Sequence, residues 1–155
     1  MRIFIFLLFF LLSSFVWSAE TLTCTPLKLK IQNKTILLPD VEKDRPSQVY
    51  VVHNISPNSL WLDHPTERKG MSAGWSSYIQ PNKWSAIVLN RKDFAISCAV
   101  IQPGKVDEEE CAKAVKVCHA ENMTVTSKRK GSYWLVEDKT WNELTQALFQ
   151  PHLKN

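Results

Sequence analysis

The chain has 155 residues, 22% of them charged, and a formal net charge of +4 at neutral pH. That length suits one domain with a real core. The mild charge argues against a nucleic-acid binder, and no apolar stretch beyond the N-terminal one could cross a membrane.

Arg2, the apolar run Ile3 to Leu12 and then Val16-Trp17-Ser18 read as a signal peptide over residues 1–18, cleaved after Ser18 or Ala19. A run of about ten residues is too short to span a bilayer comfortably. The expectation is an exported chain, periplasmic or secreted, with no integral membrane insertion after cleavage. Residues 19–155 then form a single β-rich domain. Five of the seven Phe lie in the leader, so the core must lean on Trp61, Trp75, Trp84, Trp134 and Trp141.

Leu27-Lys28-Leu29-Lys30-Ile31 alternates as a half-buried strand does. Asn33-Lys34 is a turn before Thr35 to Leu38, and Pro39 to Pro46 is a polar loop. Gln48 to Ile55 is rich in β-branched residues and reads as a strand. Ser56-Pro57-Asn58 breaks it, and Ser59 to Leu62 returns. Asp63 to Gly74 has no period and carries Pro65, Gly70 and Gly74, the marks of a long loop. Trp75 to Ile79 is extended and Pro81-Asn82 turns. Trp84 to Leu89 and Asp93 to Ile101 are strands joined by Asn90-Arg91-Lys92, and Pro103-Gly104 ends the second.

Asp107-Glu108-Glu109-Glu110 could open a helix, since acids suit a helix N-terminus. We favour instead a strand at 113–119, which would pair in a hairpin with 93–101. Met123 to Thr126 and Ser132 to Val136 read as a second hairpin around the solvated turn Lys128-Arg129-Lys130-Gly131. Thr140-Trp-Asn-Glu143 matches a capping box, with Trp141, Leu144, Leu148 and Phe149 on one face and Pro151 as the stop. The C-terminal helix spans 140–150. Short strands with frequent turn signals predict a mainly β fold, an Ig-like antiparallel β-sandwich with this helix packed on it.

Four cysteines in an exported chain suggest two disulfides, with three possible pairings. Cys111 and Cys118 would lie roughly 10 Å apart within one helix, and further in a strand. A disulfide needs about 4.4–6.8 Å between Cα atoms. Cys24 and Cys98 must then each take one of these two; the preferred pairings are Cys98–Cys111, which would close the loop around Pro103-Gly104, and Cys24–Cys118, which would tie the N-terminal strand to the body, together stabilising the domain.

Three constellations could carry chemistry. Gly70-Met71-Ser72-Ala73-Gly74 matches G-x-S-x-G, but a serine hydrolase acting through Ser72 needs a strand before it and a helix after it. Cys118-His119 with Met123 loosely suggests a cupredoxin-like metal site. Adjacent residues of a strand point to opposite faces, however, and Cys118 is wanted for a disulfide. The stronger lead is aromatic. Trp61, Trp75 and Trp84 flank the polar loop 63–74, which holds His64, Arg68 and Met71. The competing reading is that all three Trp fill the core. If exposed, Trp61, His64, Arg68, Met71 and Trp75 would form a binding surface. Asn33-Lys-Thr, Asn54-Ile-Ser and Asn122-Met-Thr are glycosylation sequons, relevant only in a eukaryotic secretory route.

The segments Ser59-Leu-Trp-Leu-Asp-His64, Ser72-Ala-Gly-Trp-Ser-Ser77, Lys83-Trp-Ser-Ala-Ile87, Phe94-Ala-Ile-Ser-Cys98 and Gly131-Ser-Tyr-Trp-Leu-Val136 together resemble the enhanced entry protein B family of Legionella-type intracellular bacteria. The resemblance covers most of residues 48–140. It implies a periplasmic, virulence-associated protein linked to host-cell entry or infection, and supplies no catalytic residues. The expected function is non-enzymatic contact with a protein partner in the cell envelope, with no cofactor.

Overall fold

The structure is a computed structural model that describes residues 21–38, 47–65, 72–89, 94–125 and 132–149. The leader, the loop 39–46, Arg68, Met71, the 90–92 connection, the basic turn and Pro151 lie outside the described residues.

Two antiparallel sheets face each other, and a helix covers the back of one. The first sheet has the order β1-β10-β4-β7-β11. Its strands are β1 (Cys24–Pro26), β4 (Ser47–Asn54), β7 (Trp84–Leu89), β10 (Val115–Val125) and β11 (Tyr133–Lys139). The second sheet runs β2-β3-β8-β5-β6, with β9 also paired to β8. It contains β2 (Lys30–Gln32), β3 (Thr35–Leu37), β5 (Leu60–Pro65), β6 (Ser72–Ile79), β8 (Ala95–Gln102) and β9 (Lys105–Glu109). Helix α1 (Cys111–Ala114) is a single turn, and α2 (Trp141–Phe149) follows β11.

Alternation along β4 explains the layering. Tyr50 and Val52 point between the sheets and meet Ile36, Leu60, Leu62, Ile79 and Ile96. Val49 and Val51 point the other way, against Leu144 and Leu148 of α2. Both faces of this central strand are buried, which is why it reads as a nearly continuous apolar run. The helix starts as its sequence predicts. The Thr140 amide and hydroxyl donate to Glu143 Oε2 at 2.8 and 2.7 Å, and the Glu143 amide donates back to Thr140 Oγ1 at 3.3 Å. These bonds also hold the Glu143 carboxyl below the ordinary glutamate range. Thr140→Ala should cost about 1 kcal/mol in urea unfolding.

Turn chemistry sets the hairpins. Asn33 and Lys34 have φ of 47° and 64°, the double left-handed pair that a two-residue hairpin between twisted strands requires. Pro103-Gly104 joins β8 to β9, and Gly104 supplies φ of 74°, a conformation costly for residues with a Cβ. That hairpin corrects the reading of the acidic run. Residues 107–109 continue β9 rather than open a helix, and β9, not 113–119, is the hairpin partner of β8. The strand expected at 113–119 does form, as β10, but it begins at Val115 after α1 and pairs with β1 and β4.

Three further expectations change. Leu27 to Leu29 is not strand; β1 and β2 flank it, because the chain crosses there from one sheet to the other. Residues 123–125 and 133–136 do not pair, since β4 and β7 separate β10 from β11. Both edges of β4 are taken by β10 and β7, so β11 adds to the free edge of β7. The core, finally, is aliphatic. Its largest fully buried side chains are Phe94 and Ile or Leu residues, and none of the described Trp side chains is among them. Trp134 packs against the inter-sheet cluster, and Trp84 and Trp141 against the helix-side cluster, each only partly buried.

Both disulfides form as expected. Cys24–Cys118 ties β1 to β10 with Cα atoms 5.3 Å apart, and Cys98–Cys111 ties β8 to α1 at 5.2 Å. Two disulfides fit an oxidising compartment. Among the described residues no helix is long and apolar enough to cross a membrane.

Candidate functional site

Pairing across the second sheet builds the most distinctive surface. Trp61 of β5 lies opposite Tyr78 of β6 on one side and Ala99 of β8 on the other. Ala99 in turn faces Glu108 of β9, and Ile101 faces Val106. Directly opposed residues share a face, and the neighbours Leu60 and Leu62 are fully buried. The outer face therefore carries Trp61, Tyr78, Ile101 and Val106, exposed by 37%, 43%, 49% and 67%. These are four of the large hydrophobic residues exposed on the described surface, gathered on one sheet face.

A cleft of about 580 Å³ runs beside Trp61, between the β2–β3 turn and the β8–β9 hairpin. Asp63, Ser97 and Glu108 give it a polar rim. Lys34 reaches Glu108 at 3.7 Å, an exposed ion pair that contributes little to stability. Partial burial raises the Asp63 carboxyl above its ordinary range, while the His64 amide, donating to Asp63 Oδ1 at 2.8 Å, opposes that rise.

The expected loop 63–74 is shorter than its sequence implies. β5 extends to Pro65 and β6 begins at Ser72, opposite it. Pro65 is tolerated because it ends its strand, beyond the last pairing with β8. Trp61 is on the surface, as a binding role requires. His64 is not: it is 7% exposed, and its Nδ1–H donates to the Ala95 carbonyl at 2.7 Å. Its ring stacks on Phe94 at 4.6 Å and 9°. Strand alternation turns Asp63 and His64 to opposite faces, so the two neighbours cannot share a surface. Arg68 and Met71 lie outside the described residues, as does the Trp75 side chain. Tyr78, Ile101 and Val106 were missed by sequence reasoning. The alternation of Leu60-Trp61-Leu62 was the signal available for Trp61, whereas its partners come from strands far away in sequence.

The other two constellations do not assemble. Ser72 is followed by strand rather than helix, so the strained strand–turn–helix of a nucleophile elbow is absent there. Cys118 is bonded to Cys24, and His119 lies against Tyr50 on the opposite face of β10, with ring centroids 5.2 Å apart. Among the described residues no group of three or more His, Cys, Asp or Glu could hold a metal ion. Asn54, the middle sequon, is fully buried. Its amide donates to the carbonyls of Asn58 and Ile79 at 2.8 and 3.0 Å, and its Oδ1 accepts from the Ser56 amide and hydroxyl, both at 2.9 Å.

On the helix side of the first sheet, His53 stacks on Trp84 at 3.7 Å and 2°, and Trp84 meets Trp141 at 4.6 Å. Burial lowers the His53 imidazole below its ordinary range. The contact with Asn82 Oδ1 at 3.0 Å opposes this, and the charge of Lys116 adds to it. Comparison of the chain with protein-family models, with curated proteins and with solved structures found no match.

Proposed function

We propose that this protein is an exported, non-enzymatic interaction module of the bacterial cell envelope, which binds a protein partner through the outer face of its second sheet. The carrying observation is the exposed set Trp61, Tyr78, Ile101 and Val106, with Asp63, Ser97 and Glu108 at its rim. An apolar, aromatic centre with a polar border is the anatomy of a protein contact site. Isolated exposed hydrophobics need no explanation, but a clustered set does. Export rests on the leader-like start and on the two disulfides. A link to host-cell entry rests on the resemblance to the enhanced entry protein B family.

The test is site-specific photo-crosslinking from position 106 in the native envelope, followed by titration of the captured partner. Trp61→Ala should weaken that affinity by tenfold or more, since a buried interface Trp is commonly worth ~2 kcal/mol or more. Its unfolding midpoint should stay within the range of a surface substitution. A partner that binds the Trp61→Ala and Tyr78→Ala variants as tightly as the parent would remove this face from consideration.

A further inference from the structure

A second concavity lies where β1 leaves β10. β1 pairs only with residues 118–120, and the Leu27 amide makes a last bond to the Val117 carbonyl at 3.1 Å. The chain then crosses to the second sheet. The stretch Val115–Val117 thus has β4 on one side and a pocket of about 570 Å³ on the other. That volume falls within the ~300–1,000 Å³ of small-molecule sites.

The lining is one-sided in its chemistry. Leu27 and Leu29 come from the crossing segment, Ile31 from β2, and Val115 and Val117 from the edge of β10. Trp84 and Trp141 close the far wall, their rings tilted by 59°. A single charged residue, Lys116, lines the pocket; it lies on the helix-side face of β10, the face of Trp84, whereas Val115 and Val117 line it from the inter-sheet side. Lys116 is exposed, and it takes part in none of the ion pairs among the described residues.

An apolar concavity rewards every methylene it takes from water. One cation beside it selects an anion at one end of the ligand. A sugar would find few polar partners on these walls, and a folded protein face would not enter them. We infer that this pocket binds the single acyl chain of a free long-chain fatty acid, with its carboxylate at Lys116. The pocket shares no lining residue with the outer-face cleft, so the two sites stand or fall separately.

The experiment titrates the purified, disulfide-bonded protein with palmitate by calorimetry, with Trp emission as a second readout. Saturable binding at one site is expected, and laurate should bind at least tenfold more weakly than palmitate. Lys116→Glu should weaken palmitate binding tenfold or more and create binding of hexadecylammonium. Because Lys116 is exposed, the circular dichroism of this variant should match the parent. The inference is overturned if palmitate shows no saturable binding, or if Lys116→Glu binds it equally well. It is also overturned if the protein associates only with palmitate-containing vesicles and not with the free acid.

Discussion

Replacing Cys24 and Cys118 together by Ala will lower the folding stability by about 4 kcal/mol in urea unfolding. The bridge spans a sequence separation of 94 residues. Closing so long a loop in the unfolded chain removes entropy worth roughly 4–5 kcal/mol in the chain-entropy model. β1 is three residues long and touches the rest of the sheet along one edge. The variant should therefore also lose hydrogen-exchange protection first at the amides of Thr25 and Leu27. A variant with unchanged midpoint would mean that β1 is held by its pairing with β10 and not by the bridge.

The second large effect belongs to Phe94. It is 1% exposed, stacks on His64, and its carbonyl accepts the Leu38 amide at 2.9 Å. Phe94→Ala should cost about 3–5 kcal/mol, the transfer term plus the cavity it leaves. The cavity would also uncover His64 on its stacked side. Urea unfolding measures the loss. Comparison with Trp61→Ala separates scaffold from surface: Phe94→Ala must destabilise strongly, and Trp61→Ala must not. If both variants unfold alike, the assignment of Phe94 to the core and of Trp61 to the outer face is wrong.

Local order was legible in the residues themselves. The capping box at Thr140, the Asn33-Lys34 and Pro103-Gly104 turns, and most strands appear where pattern places them. Each depends on groups within a few residues of one another. The aromatic lead was half legible. Trp61 lies outward, as a binding residue must, but His64 points inward because it sits three positions further along the same strand. A loop reading of 63–74 hid that parity, for only a strand gives alternate residues opposite fates. The aliphatic centre of the core was equally hidden, since counting aromatic residues says nothing about which side chains become fully buried and which only border the core.

By itself the sequence determined the class of the fold, the mainly antiparallel β character, the terminal helix and that Cys111 and Cys118 do not pair with each other. Periodicity, turn residues and the reach of a disulfide are short-range constraints, and the chain carries them openly. Only the tertiary structure decided which strands became neighbours, that β10 and β11 stand apart, and that Tyr78, Ile101 and Val106 join Trp61 on one face. Those choices follow from which sheet edges are left free once β4 has taken β10 and β7, a competition among distant segments that no local pattern records.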